Sequence, residues 1–299
     1  MKNRYPLISL ERICRLFGLS RQAFYKSIKS HQKTALENHI VIQIVNEIRS
    51  DHPGIGVRKL YHLMKNDLQQ QNIKMGRDAL FGLLSFEQML IRKRKRRYIT
   101  TNSKHWYKKY PNLIKEFIPN APNQLWVSDI TYIKTHQNYL YLFLITDAYS
   151  KKIIGYRLAR DLSSRHAVKA LRDALELLRK PLSGLVHHSD RGLQYCCKEY
   201  VNLLQDYEIK ISMTENGDPL ENPIAERING ILKQEYIYNE QKNGLNVTEK
   251  LIERVVENYN TKRPHLSCDM MTPEQAHLKS GYIKKRWKNY YKKPVILNV

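Results

Sequence analysis

The sequence predicts an all-helical N-terminal region followed by an α/β domain built on a mixed five-stranded sheet. Apolar residues recur at helical spacing as far as about residue 88, which is typical of amphipathic helices. From Leu125 onward the apolar runs take the length and residue types of β-strands. Three such runs come first, and helical and strand-like segments then alternate, as expected of an α/β domain.

The charge balance is the first indication of function. The 299 residues include 51 Lys and Arg against 28 Asp and Glu, a formal net charge of +23. A surplus of this size favours a polyanionic partner, because phosphate contacts dominate the affinity of proteins for nucleic acid. Residues 88–115 and 275–299 contain no acidic side chain. The densest basic run comprises Arg92, Lys93, Arg94, Lys95, Arg96 and Arg97.

The chain contains no stretch near the roughly 20 apolar residues that span a bilayer, and its N-terminus has no hydrophobic signal sequence. Its four cysteines form neither a C-x-x-C pair nor a zinc-ligand spacing. We therefore expect a cytoplasmic, nucleoid-associated protein with reduced cysteines and no membrane partner.

Residues 9–29 predict two short helices separated at Gly18, with Ser20 capping the second. This pattern is typical of a helix-turn-helix, here within residues 1–32, in which the start of the second helix reads the major groove. An ordinary helical hairpin is the alternative. The side chains that would contact DNA are Arg21, Gln22, Tyr25 and Lys26.

Residues 33–91 predict a second helical DNA-binding region. Helical spacing continues over 35–51 and ends before His52, Pro53 and Gly54, and further helices are predicted over about 56–70 and 76–88. A basic linker over 92–118 would separate these helices from a catalytic core over 119–280, and a basic tail would occupy 281–299.

The core begins with three successive strands and continues with alternating helices and strands. A helix capped by Ser163 or Ser164 is predicted after the third strand, and another over about 196–206. The predicted strands are Leu125–Ile133, Leu140–Thr146, Lys152–Leu158, one ending at His187, His188 and Ser189, and Ile209–Met213.

Three acidic residues occupy positions that packing does not explain. Asp129 falls in the middle of a strand, where Asp is rare, and Asp190 directly follows a strand end. Glu226 lies on a helix whose start is marked by Asn222 and Pro223. Helical geometry puts Glu226, Asn229 and Lys233 on the face opposite the apolar one.

Carboxylates on adjacent elements suit Mg²⁺, which prefers oxygen ligands and bridges substrate phosphates. Two such ions stabilise the attacking and leaving oxygens of a displacement at phosphorus. The alternative is that these acids are ordinary salt-bridge partners on a basic protein. Asp147 is interpreted in that way, as a turn or capping residue. His187 and His188 are more typical of packing or hydrogen bonding beside a site than of a direct role.

Spacing favours the catalytic interpretation. Asp190 and Glu226 are separated by 35 residues, and Lys233 follows seven positions after the glutamate. This resembles the D-D-35-E signature of integrases and transposases. Longer stretches resemble the bacterial insertion-sequence-three family of transposases over residues 9–278. The matching stretches are Trp126–Ile133, His188–Tyr195, Tyr259–Asn260, Arg263–His265 and Thr272–Glu274, together with His52, Pro53, Gly56 and Arg58.

The resemblance implies a ribonuclease-H-like integrase core with Asp129, Asp190 and Glu226 as catalytic residues and ligands of two Mg²⁺ ions, for which Mn²⁺ can substitute. It implies cleavage at the 3′ end of an insertion sequence and strand transfer, first to the other end of the same element, which gives a circular intermediate, and then into target DNA. Lys233 would bind DNA near the cleaved phosphate. The partners implied are the terminal inverted repeats, target DNA, further copies of the chain and an upstream-frame protein, fused or separate.

Two departures from the family pattern concern the helices. Glu221, Asn222 and Pro223 stand where the family usually has Asp-Asn-Ala, and Ile55 stands where an aromatic residue is more common. Three other classes of protein compete with the transposase interpretation. A DNA-binding regulator would not need the three acids at these spacings, and a retroviral-type integrase would carry a His-His-Cys-Cys zinc module. A hydrolytic nuclease on the same fold remains open.

Overall fold

A computed structural model describes residues 8–91, 106–136, 138–178, 184–215, 221–240, 242 and 244–287. The basic run from Arg92 to Arg97 lies outside the described residues, as do positions 288–299 of the basic tail. The chain forms two compact units. One comprises Met1–Ser50 and Leu60–Leu90, and the other comprises Asp51–Lys59 and Ile91–Val299.

The first unit is helical, as predicted. Its elements are α1 (Leu10–Leu16), α2 (Arg21–Asp51), α3 (Val57–Leu63), α4 (Lys65–Gln70) and α5 (Arg77–Phe86), of which α2 and α3 continue into the second unit.

The predicted break between α1 and α2 is present. Gly18 has a φ of 69°, the left-handed conformation that ends a helix, and the Ser20 hydroxyl accepts a hydrogen bond of 3.0 Å from the Ala23 N–H. The second predicted break, near residue 32, is absent. A single helix of 31 residues crosses it because neither glycine nor proline occurs between Arg21 and Asp51.

The second unit is built on the predicted mixed sheet of five strands, in the order β3-β2-β1-β4-β5. The first three strands are antiparallel neighbours, whereas β4 runs parallel to β1 and β5 parallel to β4. This is the ribonuclease-H-like arrangement. The strands are β1 (Leu125–Lys134), β2 (Tyr139–Asp147), β3 (Ile153–Ala159), β4 (Val186–Ser189) and β5 (Lys210–Met213).

Helices cover both faces of the sheet, and each face has its own apolar core. Trp126 and Phe143 pack with Leu171 and Tyr200 on one face, beneath α6 and α8. Leu142 and Leu144 pack with residues of α9 and α10 on the other face. The helices of this unit are α6 (Ser164–Glu176), α7 (Leu193–Cys196), α8 (Lys198–Asp206), α9 (Pro223–Ile231), α10 (Leu245–Thr261) and α11 (Pro273–His277).

Close packing of α6 on β3 depends on Gly155. A Cβ atom at this position would lie 2.3 Å from the backbone oxygen of Ala170, so only glycine allows the two backbones to approach. The four cysteines are buried and unpaired, as expected. Among the described residues, none of the helices combines the length and the apolarity that crossing a membrane requires.

Candidate active site

Asp129 lies on β1, and Asp190 directly follows the neighbouring parallel strand β4. Val127 of β1 pairs with His188 of β4. Asp129 comes two residues after Val127, and Asp190 comes two residues after His188. The strand register therefore brings the two carboxylates to the same level of the sheet. Asp190 directly follows β4, and its Oδ1 accepts a hydrogen bond of 2.9 Å from the backbone N–H of Gly192.

The Asp129 carboxylate is held at both oxygens. Its Oδ1 accepts a hydrogen bond of 2.9 Å from the Ile130 N–H, and its Oδ2 accepts one of 2.7 Å from the Asn229 amide. Burial, then the charge of Asp190 and to a smaller extent that of Glu226, raise the pKa of Asp129 to about 7 against the effect of these hydrogen bonds. The Asp129 carboxylate is therefore repelled by the charges of both Asp190 and Glu226.

The helix that carries Glu226 begins where the sequence predicts, but its N-cap residue acts differently. The Asn222 side chain caps no N–H of α9; instead its amide donates a hydrogen bond of 2.9 Å to the backbone oxygen of Ser128. This bond joins the start of α9 to β1 one residue before Asp129. Pro223 occupies the first turn, and Glu226 is exposed on the same turn.

The face predicted for Glu226, Asn229 and Lys233 is directed at Asp129. Asn229 donates its hydrogen bond there, and Glu226 contributes to the raised pKa of Asp129. Lys233 lies in a π-helical turn, Leu232–Tyr236, that continues α9. Burial lowers the pKa of the Lys233 ammonium, and the Asp129 carboxylate opposes this shift. An ammonium and an amide thus accompany the three acids.

The donor set fits a hard divalent cation, because it consists of carboxylate oxygens and a cation would offset the repulsion of Asp129 by the other two. Asp129, Asp190 and Glu226 are the side chains that would hold it. Within the described ranges, no group of three or more His, Cys, Asp or Glu side chains is already arranged to hold a metal ion. Glu226 is exposed, so it is accessible to an ion or a substrate phosphate.

His187 and His188 are buried hydrogen-bonding residues of the core. His187 Nε2 lies 2.7 Å from the Ser128 hydroxyl and 2.9 Å from the Tyr200 hydroxyl. His188 Nε2 donates to the backbone oxygen of Glu221 at 3.1 Å, so its Nδ1 accepts from the Ser212 hydroxyl at 2.8 Å. Burial is the main cause that lowers the pKa of His187 to about 3 and that of His188 to about 4.

Asp147 has the turn role that the sequence predicts. Its Oδ1 accepts hydrogen bonds of 2.7 Å from both the N–H and the hydroxyl of Ser150, and its Oδ2 accepts one of 2.7 Å from the Asn123 N–H. The side chain is fully buried. Asp147 therefore belongs to the structure of the β2–β3 turn and not to the carboxylate site.

Sequence reasoning missed a buried ion cluster formed by Lys59, Glu235 and Arg263. Arg263 was singled out only as part of a family motif, and Lys59 and Glu235 were not. The signal that could have found the cluster was the glutamate two residues after Lys233, on the opposite side of the helix.

The predicted helix-turn-helix residues belong to the first compact unit. Arg21, Gln22, Tyr25 and Lys26 are all exposed at the start of α2, and the Arg21 guanidinium lies 5.8 Å from the centre of the Tyr25 ring. Their surface is therefore available for a partner.

Comparison with known proteins identifies two matches to the integrase core domain, over residues 119–219 and 207–273. The 31 kDa protein of insertion element IS600 from Shigella sonnei is 32% identical over 87% of this chain and 96% of its own. The transposase for IS629 from Shigella sonnei is 30% identical over 71% of this chain and 70% of its own. The putative transposase InsK for IS150 from Escherichia coli K12 is 27% identical over 91% and 94%.

Solved structures similar to this chain include retroviral integrases. The integrase catalytic core domain of HTLV-2, in complex with magnesium, is 22% identical over 52% of this chain and 97% of its own, with a TM-score of 0.42. A chain of the simian T-cell lymphotropic virus intasome is 17% identical over 84% of this chain and 79% of its own, with a TM-score of 0.48.

Proposed function

The chain belongs to the insertion-sequence-three family of bacterial transposases, and we propose that Asp129, Asp190 and Glu226 are the carboxylates with which it cuts and joins DNA. Members of this family are polynucleotidyl transferases of the D-D-E type that catalyse DNA transposition. The observation that carries the residue assignment is the environment of Asp129. Its carboxylate is fixed by Asn229 and Ile130, and the charges of Asp190 and Glu226 act on it.

Divalent ions, two Mg²⁺ in our proposal with Mn²⁺ as a substitute, would supply Lewis acidity to the attacking and leaving oxygens at this site. The role of the chain is to position these oxygens. Asp129 comes from the middle of β1, Asp190 directly follows β4, and Glu226 comes from a helix that Asn222 ties to β1. Lys233 binds a DNA phosphate beside the reacting one as a point charge, which positions the strand without specifying its sequence.

The reaction has two displacements at phosphorus. In the first, a water oxygen forms a bond to the phosphorus at the end of the element, and the bond to the 3′ oxygen breaks, which leaves a 3′-hydroxyl. In the second, that 3′ oxygen forms a bond to a new phosphorus and displaces another 3′ oxygen. Both steps are in-line, so one arrangement of carboxylates serves both.

A hydrolytic nuclease on the same fold would perform the first displacement alone. The second displacement needs two DNA segments in one assembly, and we propose that several copies of the chain gather the terminal repeats and target DNA. The net charge of +23 suits such an assembly, because each bound phosphate releases counterions. An upstream-frame protein, fused or separate, would contribute to end recognition.

The deciding experiment uses labelled DNA that carries the terminal repeats flanking the gene of this protein, with Mg²⁺ and then Mn²⁺. Wild type is compared with Glu226→Gln and with a matched control, Glu253→Gln, at an exposed position on α10. We expect a nick at the 3′ end and joined strands with wild type and the control, and neither product with Glu226→Gln.

The alternative outcomes are informative. Nicked but unjoined DNA from wild type would indicate the hydrolytic nuclease. If wild type and both variants bind the DNA but none cleaves it, the assay is repeated with the upstream-frame protein fused to this chain. Cutting by Glu226→Gln at the rate of wild type would contradict the assignment of Glu226.

A further inference from the structure

The π-helical turn that carries Lys233 has contacts on two opposite sides. Residues two positions apart on a helix point in nearly opposite directions, so Lys233 and Glu235 cannot face the same neighbour. Lys233 lies within the electrostatic influence of Asp129. Glu235 instead contacts Lys59 and Arg263 on the far side of the turn. A π-turn inside a helix is uncommon and is frequently found at functional sites.

Glu235 is held by two cations in a largely buried place. Arg263 donates two parallel hydrogen bonds of 2.8 Å to its oxygens, and Lys59 donates a third of 2.6 Å to Oε1. The side chains of Lys59, Glu235 and Arg263 are 11%, 13% and 2% exposed. Against the effect of burial, the two cations hold the pKa of Glu235 at about 2.

Lys59, the second cation that contacts Glu235, is not explained by the stability of the fold alone. Arg263 already pairs with Glu235 at both oxygens, and Lys59 adds a charge that leaves the cluster with a net positive charge. Burial and then Arg263 lower the pKa of Lys59 to about 8, so its charge is costly at this position. Buried ion pairs often cost about as much as they return, and geometric specificity is one reason for keeping them.

The segment Asp51–Lys59, which belongs to the catalytic unit, also contacts the π-turn through its backbone. The Gly54 N–H donates a hydrogen bond of 2.7 Å to the Glu235 backbone oxygen. A Cβ atom on Gly54 would lie 2.5 Å from the Glu235 Cα, so any other residue would displace the turn. His52 Nδ1 lies 2.8 Å from the Tyr236 hydroxyl, which adds a side-chain contact one residue further on.

We propose that the segment Asp51–Lys59, with the Lys59–Glu235–Arg263 cluster, is a positioning device that fixes the π-turn so that Lys233 faces the carboxylate site. Gly54 and Glu235 are then positioning residues that act through Lys233. The inference rests on the proposed function, since it assigns to Lys233 a DNA phosphate at the same site. The proposed positioning role explains why Gly54 and the ion cluster contact the side of the π-turn that faces away from Lys233.

The test is a double-mutant cycle between Gly54→Ala and Lys233→Ala in the full chain, with the terminal-repeat DNA as the probe. Gly56→Ala is the matched control, because a Cβ at Gly56 would meet nothing within 4 Å. Three quantities are measured for each variant: the single-turnover cleavage rate, the melting temperature, and the slope of log affinity against log salt concentration. Removal of one phosphate contact lowers the magnitude of this slope by about 0.9.

We expect Gly54→Ala and Lys233→Ala each to lower the slope by about one phosphate contact and the cleavage rate by roughly 10-fold or more. The double variant should have the same slope and the same cleavage rate as Lys233→Ala alone, because the glycine acts through the lysine. Gly56→Ala behaves as wild type. The inference would be overturned if the two substitutions slowed cleavage independently, so that the fold-effects of the single variants multiply in the double variant. It would also be overturned if Gly54→Ala changed the melting temperature and left the salt-dependence slope unchanged.

Lys59→Met keeps the proposal testable if Gly54→Ala does not fold. It removes the surplus cation and leaves the Arg263–Glu235 pair intact, and the same cycle with Lys233→Ala applies. Failure of the proposed function has a different signature, because Glu226→Gln would then cut DNA. If Glu226→Gln is inactive and the cycle shows independent effects, only the positioning inference is wrong.

Discussion

The side-chain amide of Asn229 donates a hydrogen bond of 2.7 Å to Oδ2 of Asp129, and so joins helix α9 to strand β1 at the carboxylate site. The opposite oxygen of Asp129 accepts the Ile130 N–H. Both bonds favour the charged carboxylate, whereas burial and the charge of Asp190 favour the neutral form. The amide therefore does two things: it orients Asp129 and it stabilises the form that binds a cation.

Replacement of Asn229 by alanine should slow cleavage by roughly 10- to 100-fold, since a residue that orients a metal ligand has an effect of that size. The fold should persist, because Asn222 still ties α9 to β1. The measurement is the single-turnover cleavage rate as a function of Mg²⁺ concentration, with Asn202→Ala on the exposed side of α8 as the control. An unchanged rate at every Mg²⁺ concentration would contradict the role assigned to Asn229.

Asp147 provides a contrasting prediction, because it is an acid of the same unit outside the carboxylate site. Asp147→Asn would place an N–H₂ group against donors that now bond to its oxygens, at a cost of about 1 to 3 kcal/mol in the free energy of unfolding. Cleavage by the folded fraction should stay near that of wild type. Chemical denaturation and the cleavage assay measure the two effects, with Asp206→Asn at an exposed position as the control.

The positions of the strands and the starts of the helices in the α/β unit were predictable because they depend on local patterns. Strand-like runs gave β1 to β3 within one or two residues, and Asn222 with Pro223 marked the start of α9. The long helix α2 was divided wrongly, because two adjacent helical patterns look the same whether or not the chain breaks between them. Only a breaker residue distinguishes the two cases, and none lies between Arg21 and Asp51.

The candidate site was predictable in part for a similar reason. The spacing of Asp190, Glu226 and Lys233 can be read along the chain, and helical geometry placed Asn229 beside them. The partner of Asn229 could not be read, since 100 residues separate it from Asp129. Lys59 and Glu235 are 176 residues apart, and in the sequence the segment that carries Lys59 interrupts the residues of the other unit. Contacts of this kind leave no local pattern.

The buried histidines predict that the protein loses stability as the pH falls. Burial is the main cause that lowers the pKa of His187 to about 3 and that of His52 to about 4, from an ordinary value of 6.5. Below pH 6.5 the unfolded chain therefore binds protons that the folded chain does not. The stabilisation is complete above that pH and decreases as the pH is lowered towards the folded values.

His187→Gln tests this linkage by removing one titrating group and keeping a polar side chain near Ser128 and Tyr200. Between about pH 6 and 4 the free energy of unfolding should vary less steeply by about 1.4 kcal/mol per pH unit. Denaturation at several pH values measures the slope. His31→Gln, at an exposed position, should leave it unchanged. An equal slope in wild type and His187→Gln would show that His187 is not buried in its neutral form.

The start of α2 gives a prediction about DNA binding by the helical unit. Arg21 and Lys26 are exposed there, and a cation that binds a phosphate contributes about 0.9 to the slope of log affinity against log salt concentration. The double variant Arg21→Ala/Lys26→Ala should therefore lower the slope for terminal-repeat DNA by about 1.8. Lys65→Ala/Lys74→Ala removes the same charge from other exposed positions of the unit and controls for net charge. If both pairs lower the slope equally, the effect is one of overall charge, and the helix-turn-helix interpretation of α1 and α2 fails.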